Sequence, residues 1–198
     1  MRPDPTILAF DTSAAHCAAA LLSGGRAVVR VDPMAKGQAE HLMPMLEAML
    51  AVAGLAWRDL DALAVGTGPG NFTGIRIAVS AARGLALGLG KPAIGVDGFT
   101  ARAHGAARPA TVAIPAPRDR HYRAVLGETG FEAGPTMEGP EATDPGAVLP
   151  EPSPEALIEN VARHAAAVLG QDHPRPGPLY VRAPDAAPPR DAGPVLLP

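Results

Sequence analysis

Cysteine is nearly absent from this 198-residue chain: Cys17 stands alone, which excludes an intramolecular disulfide. Aromatic residues are scarce, at one Trp, two Tyr and four Phe, and the formal net charge is -3. A protein that grips RNA unaided carries clustered cations and stacking aromatics, so the composition argues against an autonomous RNA-binding module. No continuous apolar run reaches the roughly 18 residues of a membrane span. The opening Met1-Arg2-Pro3-Asp4-Pro5 holds an acid and two prolines where a signal peptide would be basic, so the expected location is cytoplasmic. No two of the six histidines stand at HxxxH spacing, and no metal or other cofactor is expected. Neither Ser13 nor Ser80 sits in a GxSxG elbow. Cys17 lies within an alanine-rich run and reads as a small buried residue rather than an activated thiolate.

The order of the elements is more informative. Thr6–Phe10, His16–Leu22 and Arg26–Val31 read as three strands, the second and third joined by the hairpin turn Ser23-Gly24-Gly25. The period then becomes helical over Glu40–Ala53, with Pro44 expected in the first turn or at a kink. A strand over Leu60–Val65, a helix over Gly74–Leu89 closed by Gly90-Lys91-Pro92, and a strand over Ala93–Val96 follow. Parallel strands need helical crossovers while a meander needs only hairpins, so this order predicts a mixed five-stranded sheet of ribonuclease H-like type.

Proline divides the chain, with 17 of 23 residues in 101–198. The expected organisation is therefore a well-built subdomain over 1–100 and a smaller, Pro-rich one over 101–198. In the latter, Thr111–Ile114, His121–Leu126 and a short Leu179–Arg182 read as strands, and Pro154–Leu169 reads as a helix. Residues 128–152 read as loop, and the tail from Ala183 as poorly ordered.

Two segments sit where an open sheet of this kind binds ligands, at the carboxyl ends of strands. They are Asp11-Thr12-Ser13 and the glycine-rich loop holding Gly66, Gly68, Gly70, Thr73 and Gly74. Backbone amides at a helix start could hold phosphate there, or the glycines could simply permit a tight strand-to-helix turn. The loop lacks the Gly-Lys-Ser/Thr of a P-loop. The first helix also carries more apolar residues than one face can bury, among them Leu42, Met43, Met45, Leu46 and Met49. Methionine suits adaptable contacts, so part of this surplus is expected to meet a partner, together with the alanine stripe Ala78, Ala82 and Ala86 of the second helix.

Three stretches carry a resemblance: Ile7-Leu8-Ala9-Phe10-Asp11-Thr12-Ser13, Glu40-His41-Leu42-Met43-Pro44, and the specific Gly68-Pro69-Gly70-Asn71-Phe72-Thr73-Gly74-Ile75-Arg76. They resemble the TsaB (YeaZ) family. The resemblance implies an α/β protein of the actin-like ATPase (ASKHA) fold, built from two ribonuclease H-like subdomains with the second reduced. It further implies a non-catalytic subunit, with Asp11 to Ser13 and the glycine loop a vestigial phosphate site. The implied partners are a TsaD-type transferase acting on the adenosine beside the tRNA anticodon, a TsaE-type ATPase and a second copy, with tRNA reached only through the complex. TsaD-like proteins, once grouped with metalloproteases, carry an HxxxH pair where this chain has Gly98 and Arg102. Where TsaB proteins commonly show Asp-Ala-Arg, it has Pro115-Ala116-Pro117. The competing readings are a small-molecule kinase or ATPase of the same fold and, more remotely, a metallopeptidase.

Overall fold

In the computed structural model, residues 4–139 and 148–181 are described. The first sheet runs β3-β2-β1-β4-β5, from β1 (Ile7–Asp11), β2 (His16–Ser23), β3 (Arg26–Pro33), β4 (Ala62–Gly66) and β5 (Ala93–Val96). β1 pairs antiparallel with β2 and parallel with β4, so the expected mixed ribonuclease H-like sheet is present. Side chains alternate across a strand, and β1 is buried on both faces. Leu8 and Phe10 point to one layer, Ile7 and Ala9 to the other.

The first layer is α1 (Gln38–Val52) with α2 (Phe72–Leu89), the crossovers that parallel pairing requires. Pro44 is the seventh residue of α1, beyond the first turn expected for it, and the helix continues past it. Asn71 caps α2 by accepting a hydrogen bond from the Gly74 amide at 2.8 Å, and left-handed Gly90 ends it. Helix α2 has the length and overall hydropathy of a membrane span, but Arg76 and Arg83 interrupt it, so it is not the continuous apolar run that the sequence also lacks. Its Ile75, Ala78, Val79 and Ala82 seat it on the sheet.

The second layer comes from the far end of the chain. A helix over Pro154–Val168, capped by Ser153 and designated α4, lays Ile158, Val161, Ala162 and Ala165 across the opposite face. The spacing i, i+3, i+4, i+7 makes one apolar stripe. That face of the sheet is lined by Ala9, Ala18, Ala20, Ala62 and Ala64, whose short side chains let α4 come close. Helix α4 thus lies with the first sheet although its residues belong to the Pro-rich half.

Between β5 and α4 the chain builds the second lobe. α3 (Gly98–Arg102) starts at Asp97, whose Oδ1 accepts from the Phe99 and Thr100 amides at 2.9 Å. Three antiparallel strands follow: β6 (Ala110–Ala116), β7 (Arg120–Gly127) and β8 (Gly130–Glu138). Phe99 and Ala103 cover their inner face against Val112, Ile114, Ala124 and Leu126. β8 corrects the reading of 128–152 as loop. Its Gly130, Gly134 and Pro135 are poor strand formers, but β8 lies at the edge of this sheet, where proline is tolerated.

After α4, residues 171–181 form a strap beside β5. Pro176 packs against Gly95, and the Leu179 amide donates to Thr67 O at 2.8 Å. The short strand expected at Leu179–Arg182 is absent over Leu179–Val181, and Arg182 and the tail lie outside the described residues.

Candidate functional site

The two polar segments singled out at the strand ends meet each other. Asp11 ends β1, and its Oδ1 accepts from the amide and the hydroxyl of Ser13, each at 2.7 Å. Buried Thr12 donates from Oγ1 to Gly74 O at 2.6 Å, and the Asn71 amide donates to Ser13 O at 2.7 Å. The glycines are explained by this contact. A Cβ at Gly66 would overlap the Asp11 carboxylate, one at Gly74 would overlap Thr12 O, and one at Gly70 would stand 2.5 Å from Ser13 O. Gly68 has φ +88°, the left-handed region that glycine occupies without strain. Several amides that a phosphate cradle would draw on are already spent. Those of Thr67, Asn71, Gly74, Ile75 and Gly98 all donate within the protein.

A cleft of about 420 Å³ opens beside this junction, bounded by Asp11, Ser13, α3, Ile114, Pro115 and the start of α4. Its cation, Arg102, donates side-on to both carboxylate oxygens of Glu151: Nε to Oε2 at 2.9 Å and Nη2 to Oε1 at 2.5 Å. Because Glu151 neutralises Arg102, Asp11 sets the sign of the site. A polyphosphate would meet net negative charge there.

The donor set for a metal is also wrong. Arg102 Nη1 donates to Gly98 O at 3.1 Å, so a guanidinium fills the space that the HxxxH pair of TsaD-like proteins would span. Among the described residues, no group of three His, Cys, Asp or Glu could hold an ion. Asp11, His16 and Glu151 line the cleft without being grouped as a three-ligand set. Cys17 is fully buried, and burial, aided by Asp32 and Asp11, pushes its thiol up to about 11. It is protonated and not nucleophilic at neutral pH.

His104 and His164 meet edge to face, 6.3 Å between ring centroids, where α3 approaches α4. Burial lowers both. Arg163 and Arg108 add to the effect on His104, and His104 adds to that on His164. Their chain separation of 60 residues left no spacing signal in the sequence.

The expected partner residues need correction. Leu42, Met45, Leu46, Met49, Ala78 and Ala82 are buried in the chain's own core against Leu8, Phe10 and Val65. Only Ala86 is partly accessible. The apolar surplus is real, but it stands at other helical phases. Val52 is 89% exposed and Leu87 86%, with Met43, Ile77, Ala81 and Leu85 half-buried. On α2 the exposed positions Ser80, Gly84 and Gly88 recur every four residues, with open space beyond both glycines.

Comparison with known proteins follows the same lines. The family described as "TsaD: tRNA N6-adenosine threonylcarbamoyltransferase" matches residues 33–172. The "tRNA threonylcarbamoyladenosine biosynthesis protein TsaB" of Escherichia coli is 39% identical over 102 residues, 52% of this chain and 44% of that protein. The chain thus aligns with less than half the length of that relative. An uncharacterized protein of Mycobacterium tuberculosis, Rv3421c, is 35% identical over 199 residues, covering 92% of this chain and 94% of its own. The solved structure of YeaZ from Pseudomonas aeruginosa superposes with a TM-score of 0.68 at 28% identity, over 89% of this chain and 99% of that one. These similarities establish that the chain belongs to the TsaB (YeaZ) family.

Proposed function

We propose that the protein is a non-catalytic, cytoplasmic subunit that binds a TsaD-type transferase during threonylcarbamoyladenosine formation in tRNA. The observation that carries this reading is the outward apolar face of α1 and α2. Val52 on α1 and Leu87 on α2 stand almost fully exposed, and α2 carries the exposed small residues Ser80, Gly84 and Gly88. Soluble monomers rarely leave such a face bare. The chain matches the family profile of the transferase itself, so a partner with the same helix pair would complete a four-helix bundle. The same face would hold a homodimer when the transferase is absent, and the two associations would compete. A TsaE-type ATPase would join the complex, and no cofactor is assigned to this chain. The charge of the cleft and its lack of a three-ligand metal set among the described residues support a silent role over that of a kinase or metallopeptidase.

Leu87→Glu and Gly84→Glu test the reading. A buried, unpaired carboxylate costs on the order of several kcal/mol, about a thousandfold in affinity. In analytical ultracentrifugation, both variants should remain folded, lose self-association and fail to bind the purified transferase of the same organism. Unchanged association of both would place the interface elsewhere.

A further inference from the structure

Four cations far apart in sequence are gathered on one flank of the first lobe. Arg76 and Arg83 lie on α2 seven residues apart, two helical turns, so they share a face. Lys91 follows the cap at Gly90, and the strap lays Arg175 alongside. Arg83, Lys91 and Arg175 line one hollow of about 610 Å³ between the end of α2 and the strap. His173 and a single acid, Asp172, share it. Among the described residues none of the four cations has an acidic ion-pair partner, although the whole chain carries a net charge of -3. Like charges converging on one hollow repel one another until an anion arrives.

An aromatic platform closes the other end. The rings of Phe72 and Tyr180 stack at 5.2 Å between centroids, and each residue is 42% exposed. Arg76 lies with its guanidinium carbon 3.7 Å above the Phe72 ring, and its Nε donates to Tyr180 Oη at 2.9 Å. In a chain with seven aromatic residues, two of them are spent on an outward-facing stack pinned by an arginine. From Arg76 to Lys91 the ridge runs ~22 Å at the helical rise. A line of cations ending in a stacking surface is the form that tracks a nucleic-acid backbone and catches an unpaired base.

We propose that this flank, formed by Arg76, Arg83, Lys91 and Arg175 with Phe72 and Tyr180, contacts the phosphate backbone of RNA. It acts as an auxiliary surface that strengthens RNA binding by the assembled complex. The idea rests on the association reading for its setting, but the contacts belong to this chain. Four cations make weak binding alone. Added to a partner's contacts, they multiply affinity through the gain in effective concentration.

The test uses the full chain and the triple variant Arg83→Gln/Lys91→Gln/Arg175→Gln; Gly84 and Leu87 of the association face line the same hollow, so assembly is read alongside RNA binding. RNA binding is read by fluorescence anisotropy with labelled tRNA from about 50 to about 200 mM salt. The variant should still assemble with the transferase in ultracentrifugation. Its complex should bind tRNA at least about tenfold more weakly, with the slope of log affinity against log salt reduced by about 2 to 3, near 0.7 to 0.9 per lost phosphate contact. At the lowest salt the parent chain alone should show weak, salt-sensitive tRNA binding that the variant lacks. Equal affinities and slopes for parent and variant would overturn the proposal. So would a variant that loses assembly with the transferase while its residual tRNA binding is unchanged, because the cations would then serve an acidic protein surface. The arm with the chain alone needs no transferase. A parent that binds tRNA by this flank but never assembles would defeat the association reading and leave the RNA surface standing.

Discussion

The two sheets of this protein are built from the same kind of strand and live under different conditions. In the first, β1 lies between two helical layers, with Ile7, Leu8, Ala9 and Phe10 all fully buried. In the second, α3 covers one face, while the other carries half-buried His121, Arg123 and Glu138. His121 Nδ1, Arg123 Nε and Glu138 Oε2 are buried there without a hydrogen-bond partner among the described residues. A sheet sealed on both sides tolerates no such defects, because its neighbours fix every side chain. The comparison teaches that the first sheet is consolidated by a helical layer on each face and the second by a layer on one face only.

The largest expected effect is on the core itself. Phe10→Ala should cost about 3–5 kcal/mol in denaturant unfolding, whereas Leu126→Ala, beneath the single-layered sheet, should fall near the ~2 kcal/mol lower end for such truncations. Equal losses would mean that the lobes are equally consolidated. Next in size is the junction below the cleft. Gly66→Ala drives a methyl into the Asp11 carboxylate and should cost about 1–3 kcal/mol. In a double-mutant cycle with Asp11→Ala, the two changes should couple by about 1 kcal/mol or more. Additive costs would show that the glycine is not held by that contact.

The smallest effect concerns the seam between α3 and α4. His104 and His164 are both lowered from 6.5 in the fold, so the unfolded chain takes up protons first as pH falls. Their contribution to stability is full above pH 6.5 and is lost as pH drops toward the folded values. Replacing both with Gln should flatten the acid limb of stability below pH 6.5, read as the change in urea midpoint. A limb of unchanged steepness would place the acid sensitivity elsewhere.

Legibility in the sequence follows the same division. All five strands of the first sheet and both of its crossover helices announce themselves, because burial on a known face imposes a period of 2 or 3.6. β8 hides because an edge strand with one open face carries few apolar residues, and Gly134-Pro135 imitates a loop. Helix α4 was readable as a helix, but its seat on the first sheet was not, since periodicity records that a face is buried and not against what. The same limit applies to the expected partner residues: Leu42 and Met45 have the right composition and are buried in the chain's own core. Asp11, Ser13 and the loop glycines were found from composition and position, whereas their mutual contact depended on a fold only the structure shows. The cationic flank was invisible because it draws on positions 76, 83, 91 and 175.

The path of the chain carries one more implication. It leaves the first lobe after β5, builds the second sheet, and returns as α4 and the strap. The second lobe is thus an insertion with two crossings rather than an appended domain. Shortening or exchanging its strands between relatives need not interrupt the sealed sheet, whose last layer is laid down only when the chain comes back. During synthesis, β1 to β5 must wait, with an alanine-lined face open to solvent, until about seventy further residues have followed β5 and delivered α4.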